Sequence, residues 1–186
     1  MKTLIIDNYD SFTYNLVHLV EQFTDLLEVF RNDEIDIAQV DRYDQIIISP
    51  GPGLPSEAGI SMTVLETYSS TKKILGVCLG LQAIAEHFGG KLINLEEVLH
   101  GVSSQCYIDN ESKLFNGMSE SIEIGHYHSW AIDSNGLPDN FDITAKNEDG
   151  IIMALQHKEL DICGVQFHPE SVLTPEGKKI IENWMR

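Results

Sequence analysis

Residues 74–88 read Ile74-Leu75-Gly76-Val77-Cys78-Leu79-Gly80-Leu81-Gln82-Ala83-Ile84-Ala85-Glu86-His87-Phe88. Ile74 to Val77 is a short apolar run of strand length, and Leu81, Ala83, Ile84, Ala85 and Phe88 then follow with a helical pattern. A strand therefore passes directly into a helix. The same rhythm holds upstream. Leu4 to Ile6 ends at the turn-prone Asp7-Asn8-Tyr9-Asp10, after which Phe12, Leu16, Leu19, Val20 and Phe23 recur at helical spacing. Leu26 to Phe30 and the β-branched run Ile46 to Ile48 read as further strands, and Ile60 to Tyr68 has a helical apolar pattern. Alternation of this kind predicts an α/β fold, a mostly parallel central sheet flanked by helices.

After Gly89-Gly90 the rhythm changes. Short strand candidates lie near 91–95, 104–108, 121–126, 141–145, 151–156 and 162–167, separated by Asn, Asp, Gly and Pro. A smaller antiparallel extension is expected there. Thr174, before Pro175 and Glu176, reads as the N-cap of a last helix whose inward stripe is Ile180, Ile181 and Trp184. With no repeats or linkers, residues 1–186 are expected to form a single domain.

Composition narrows the partners. The chain is 42% hydrophobic and 22% charged, and 29 acidic against 12 basic residues give a net charge of −17. Such a charge repels nucleic acid and anionic membranes, which leaves protein partners. Cys78, Cys106 and Cys163 are widely spaced with no C-x-x-C, so neither a disulfide framework nor a zinc knuckle is expected, and a reducing cytoplasm is the natural compartment. The apolar run near Met1 is cut short by Asp7, too brief for a signal segment or a membrane span.

Chemistry gathers at three segments. Gly76-Val77-Cys78-Leu79-Gly80 frames a cysteine with glycines at a strand-to-helix turn, the spacing a strained nucleophile elbow needs. There the helix N-terminus favours a thiolate, and the next backbone N–H can meet a developing oxyanion. Cys106 and Cys163 lack such a frame and read as packing residues. A nucleophilic cysteine needs a base, and His168-Pro169-Glu170 offers one at the end of the apolar run Ile162 to Phe167, with Glu170 able to orient the imidazole. Ser49-Pro50-Gly51-Pro52-Gly53 is a rigid turn whose glycines let backbone N–H groups approach a ligand, without the Lys-Ser/Thr ending of a phosphate loop. Tyr127-His128-Ser129-Trp130 suits a grip on a small zwitterion or, equally, a sheet edge.

Pro50-Gly51-Pro52-Gly53, Gly76-Val77-Cys78-Leu79-Gly80-Leu81-Gln82 and Gly164-Val165-Gln166-Phe167-His168-Pro169-Glu170 together resemble the signature of class I, triad-type glutamine amidotransferases, a flavodoxin-like fold. Asp7 to Leu16, His100-Gly101 and Tyr127-His128-Ser129 are similar to the small subunits of anthranilate synthase and aminodeoxychorismate synthase. The resemblance spans nearly the whole chain. It implies that Cys78 attacks the side-chain amide of glutamine, that His168 is the acid–base and that Glu170 orients it. It further implies an oxyanion hole from the Gly53 and Leu79 amides, with Gly51, Gln82, Ser129 and Trp130 around the glutamine. The implied partner is a chorismate-binding synthase large subunit that consumes the ammonia, and no cofactor or metal is expected in this chain. Leu81, Val102 and His126 depart from the family pattern, which often has histidine, lysine and arginine there. A stand-alone γ-glutamyl hydrolase and a non-catalytic binding module of the same fold are the alternatives.

Overall fold

A computed structural model describes residues 1–186. The strands are β1 (Thr3–Asp7), β2 (Leu27–Arg31), β3 (Gln45–Ile48), β4 (Lys73–Val77), β5 (Leu92–Ile108), β6 (Ser121–Ile132), β7 (Phe141–Asn147), β8 (Ile152–His157) and β9 (Ile162–Val165). The helices are α1 (Thr13–Val20), α2 (Ile37–Val40), α3 (Ser61–Tyr68), α4 (Leu79–His87) and α5 (Gly177–Met185). All nine strands join one sheet in the order β2-β1-β3-β4-β9-β8-β7-β5-β6. Pairing is parallel from β2 to β9 and antiparallel from β9 to β6.

The parallel half follows from its residues. β1 and β3 are buried at every position, as expected for strands covered on both faces, where continuous apolar runs replace alternation. Ile5 and Ile47 join a core cluster with Leu16, Val17 and Val20 of α1 and Ile180, Ile181 and Trp184 of α5. Their neighbours Leu4, Ile6, Ile46 and Ile48 join a second cluster with Val64 and Leu65 of α3 and Leu81 and Ile84 of α4. The strand period of two sends successive side chains to opposite faces, so one four-residue run anchors both layers. Each fully buried Ile or Leu contributes about 1.5–3 kcal/mol.

β1, β3, β4 and β9 run the same way, so the loops that follow them emerge at one edge of the sheet, the edge where open α/β sheets build sites. α4 packs close beneath this edge because Gly80 has no Cβ, which would run into the Ile48 carbonyl.

Two local expectations change. The strand candidates near 91–95 and 104–108 are parts of one long strand, β5, and the candidate at 121–126 continues to Ile132. Most of β5 is exposed, so the apolar alternation that marks a half-buried strand is absent from it. Thr174 does not cap the last helix. α5 begins at Gly177 with Glu176 in the cap position, and the Thr174 hydroxyl instead accepts a hydrogen bond from the Gly125 N–H of β6 at 3.0 Å. No helix is long and apolar enough to cross a membrane.

Candidate active site

Cys78 sits between β4 and α4 with φ 53 and ψ −104, a left-handed conformation rare for a residue with a side chain. Strain of this kind, about 1–3 kcal/mol, persists only where the surroundings enforce it. Here the Cys78 N–H donates to the Val165 carbonyl at 2.8 Å, and its carbonyl accepts from the Gln82 N–H at 3.1 Å. The elbow is thus tied to the end of β9, three residues before His168.

His168 is 1% exposed. Its Nδ1 lies 2.6 Å from Glu170 Oε1, and the Glu170 side chain is fully buried. The rings of Tyr127 and Phe12 meet the imidazole edge-on, with centroids 4.9 and 6.1 Å away. The other ring nitrogen, Nε2, is sealed from solvent without a well-aligned hydrogen bond, as apo active sites often are. Burial lowers the His168 pKa, but the adjoining Cys78 sulfur and the Glu170 carboxylate outweigh it and raise the pKa to about 10. Cys106 and Cys163 lie in the core, where burial pushes each thiol up to about 12. Their sulfurs stay protonated and inert.

A raised histidine pKa stabilises the folded state fully below the unfolded value, 6.5, and that stabilisation is lost as pH rises through about 10. The Cε1–H resonance of His168 is expected to titrate near the upper value by NMR. Cys78→Ser should lower that midpoint, since one of the two raising groups is removed. An unshifted midpoint in the variant would separate the sulfur from the imidazole.

The glycine turn after β3 closes the site from the other side. Gly51 packs against Asn8 and Leu79. Asn8 fixes the turn through its N–H to Ser49 Oγ at 2.9 Å and its Nδ2 to the Ser49 carbonyl at 3.0 Å. Gly53 takes φ 78, so its conformation favours glycine, and a Cβ there would displace the flexible end of Glu57, whose Oε2 would stand 2.5 Å away. Neither the Gly53 nor the Leu79 N–H donates a hydrogen bond within the chain, which leaves both free for an incoming anion.

Gly51, Gly53, Cys78, Gln82, Ser129 and Trp130 line one pocket of about 140 Å³. Ser129 and Trp130 reach it from β6, where the β5–β6 register shifts between Asn94/Leu99 and leaves Ser129 unpaired. Irregular pairing beside a pocket re-aims the backbone toward it. β6 is the last strand of the sheet, so the Tyr127–Trp130 segment is a sheet edge and a pocket wall together. Of the residues named from sequence, Leu79, His168 and Glu170 do not line this pocket; Leu79 follows Cys78 directly and packs on Gly51, and the His168 ring adjoins the Cys78 sulfur. Reading the motifs did not single out Gln166, whose Nε2 donates to Cys78 Sγ at 3.5 Å. Its place beside Phe167-His168 was the available signal.

Asp10, His168 and Glu170 bring one potential ligand atom each within 4.8 Å of one another. His168 Nδ1 and Glu170 Oε1 are already committed to each other, and Asp10 Oδ2 accepts from the Phe12 N–H at 2.7 Å. What the arrangement can do is attack a carbonyl. It holds a thiol on a strained turn, an imidazole steadied by a carboxylate and two free amide donors.

The family model described as "Glutamine amidotransferase class-I" matches residues 4–186. The chain is 48% identical to the bifunctional protein TrpGD of Thermotoga maritima over 188 residues, covering 99% of this chain but 32% of that protein. It is 43% identical to the aminodeoxychorismate synthase component 2 of Escherichia coli K12, covering 98% of each. It is 42% identical to the aminodeoxychorismate/anthranilate synthase component 2 of Bacillus subtilis 168, covering 98% of this chain and 94% of that one. A crystal structure described as that of a candidate GMP synthase component from Thermoplasma acidophilum superposes with a TM-score of 0.89 at 25% identity, covering 100% of this chain and 92% of the other.

Proposed function

This chain belongs to the class-I glutamine amidotransferase family, and from that premise we propose that it hydrolyses glutamine at Cys78 and passes the ammonia to a chorismate-using synthase subunit. The observation that carries the reading is the buried Cys78–His168–Glu170 arrangement beside the pocket. Cys78 Sγ attacks the side-chain amide carbon of glutamine, and the Gly53 and Leu79 N–H groups receive the oxyanion. His168, which holds the proton of the thiol–imidazole pair, delivers it to the departing amine, so ammonia leaves and a γ-glutamyl thioester remains. Thioester formation then removes one of the two groups that raise the His168 pKa, while Glu170 still raises it and burial still lowers it. Having given its proton to the ammonia, His168 is the neutral base for the water that hydrolyses the thioester to glutamate.

Glutamine is held by Gln82, by Gly51 of the glycine turn and by Ser129 and Trp130, the last two largely through their backbone. The synthase subunit is the one that makes anthranilate, aminodeoxychorismate or both, following the names of the relatives. A net charge of −17 disfavours nucleic acid and membrane partners, and three free buried cysteines fit a reducing cytoplasm. No cofactor is assigned to this chain. Residues 1–186 are read as a single amidotransferase domain.

Pairing the chain with each candidate large subunit, chorismate and glutamine tests this. Product should appear with at least one subunit. Pretreatment with a glutamine-site diazo-ketone should stop it while labelling Cys78 and sparing Cys106 and Cys163. Hydrolysis of γ-glutamyl conjugates without any partner would favour a stand-alone hydrolase, and labelling away from Cys78 would remove the mechanism.

A further inference from the structure

Behind the pocket a line of polar groups runs from the β5–β6 hairpin to the Cys78 sulfur, and Ser104, His126 and His128 at its far end have no part in the proposed hydrolytic steps. Ser104 Oγ lies 2.7 Å from His126 Nε2, His126 Nδ1 lies 3.1 Å from His128 Nε2, and His128 Nδ1 lies 2.9 Å from the Trp130 carbonyl. The same carbonyl accepts from Gln82 Nε2 at 3.0 Å. Gln82 Nε2 also donates to Gln166 Oε1 at 3.1 Å, and Gln166 Nε2 to Cys78 Sγ at 3.5 Å. His126 is 1% exposed and His128 6%.

The direction of every proton in this line is fixed by one end. A carbonyl only accepts, so His128 Nδ1 must carry its hydrogen. In a neutral ring His128 Nε2 is then an acceptor, so His126 Nδ1 must carry the hydrogen between the two rings. That leaves His126 Nε2 to accept from the Ser104 hydroxyl. Charging either ring would set two donors against each other or bury a cation near the His168 ring, and burial lowers the pKa of both, that of His128 to about 4. With the Trp130 carbonyl held by two donors, the Gln82 amide has one orientation. Its Nε2 faces inward, while its Oε1 accepts nothing within the chain and is not sealed from solvent. The Gln166 amide is oriented in turn, its N–H toward the nucleophile.

We infer that Ser104, His126 and His128 form a neutral, one-directional hydrogen-bond relay that orients the Trp130 carbonyl and the Gln82 and Gln166 amides, making His126 a positioning residue for glutamine. The inference rests on the glutaminase reading above for its kinetic consequence, and on geometry alone for its proton placement. It also joins the edge hairpin to the pocket wall, since Ser104 lies on β5 and is only partly buried.

Two measurements test it. Long-range ¹H–¹⁵N NMR of the unmodified chain at pH 7 should find both His126 and His128 neutral with the hydrogen on Nδ1. In Ser104→Ala the His126 population should move toward the Nε2–H form. Kinetically, with the synthase subunit present, His126→Phe should raise the KM for glutamine about tenfold, equivalent to about 1.4 kcal/mol, and leave kcat within about twofold. His126→Asn should stay within about threefold of the parent in KM, because its amide N–H can replace the Nδ1–H donor. A packing role predicts the reverse order, since phenylalanine fills the buried ring volume better than asparagine. A His126 cation or Nε2–H form at pH 7, or His126→Asn worse than His126→Phe, overturns the relay. Loss of turnover in the unmodified protein would overturn the glutaminase reading instead, while the tautomers would still decide the relay.

Discussion

In the assembled complex, Cys78→Ser is expected to reduce glutamine-supported amination by roughly a thousandfold or more and to leave ammonium-supported amination unchanged. Serine is nearly isosteric, and Cys78 is 5% exposed, so neither the elbow nor the outer surface needs to rearrange. Only nucleophilic power falls. Rates with glutamine and with a high concentration of ammonium salt, measured on the same complex, supply the check. Val102 adds a second arm. It stands 44% exposed on the hairpin beside Gly101, so Val102→Asp costs the free chain little. At a subunit contact the same change buries an unpaired charge and should weaken association, measurable as a raised Kd. Failure of the ammonium reaction in an assembled Cys78→Ser complex would mean that the chain contributes more than ammonia.

His168→Ala should remove nearly all glutaminase turnover, about 10²–10⁴-fold, the usual worth of a positioned acid–base group. Glu170→Gln should leave a measurable remainder, because it removes an orienting charge and keeps the imidazole. The geometry sharpens the contrast: with the 2.6 Å contact to Oε1 weakened, the mutually packed rings of Tyr127 and Phe12 still rest against the imidazole. Equal, mild losses in both variants, read from kcat, would take His168 out of the chemistry. His128 would be a poor substitute, since both of its nitrogens are engaged and burial holds its pKa near 4.

The parallel half of the fold was legible because its strands are buried on both faces, which turns Leu4–Ile6, Ile46–Ile48 and Ile74–Val77 into unbroken apolar runs. The site residues were legible for a related reason. Gly51, Gly53, Cys78, Leu79, Gln82, His168 and Glu170 follow such strands, and parallel pairing collects those ends at one edge, whereas Ser129 and Trp130 lie within the antiparallel strand β6. Partly or largely exposed backbone carries no such signal. β5 mixes Glu96, Glu97, Gly101 and Ser103 along 17 residues, and its bulges break the period of two. Helix α2 is only four residues long, too short for a helical period to register. Thr174 had the local chemistry of a cap, but a long-range bond to Gly125 claims its hydroxyl. His126, named from sequence only as a departure from the family pattern, acquires its Nε2 partner when Ser104 is brought across the hairpin from β5.

The strand order also has a meaning in time. β9 lies between β4 and β8, yet it follows both in the chain and so leaves the ribosome after them. Until it arrives, the β4 side and the β8 side each present an unpaired edge, the kind of surface on which nascent chains aggregate. Ile74 and Val77 find their partners Ile162 and Val165 only across a long sequence separation, which makes closure a slow, late event. His168 and Glu170 follow directly behind that strand. Cys78 is therefore synthesised long before its base, and the thiol is paired with its imidazole only as the two halves of the sheet close.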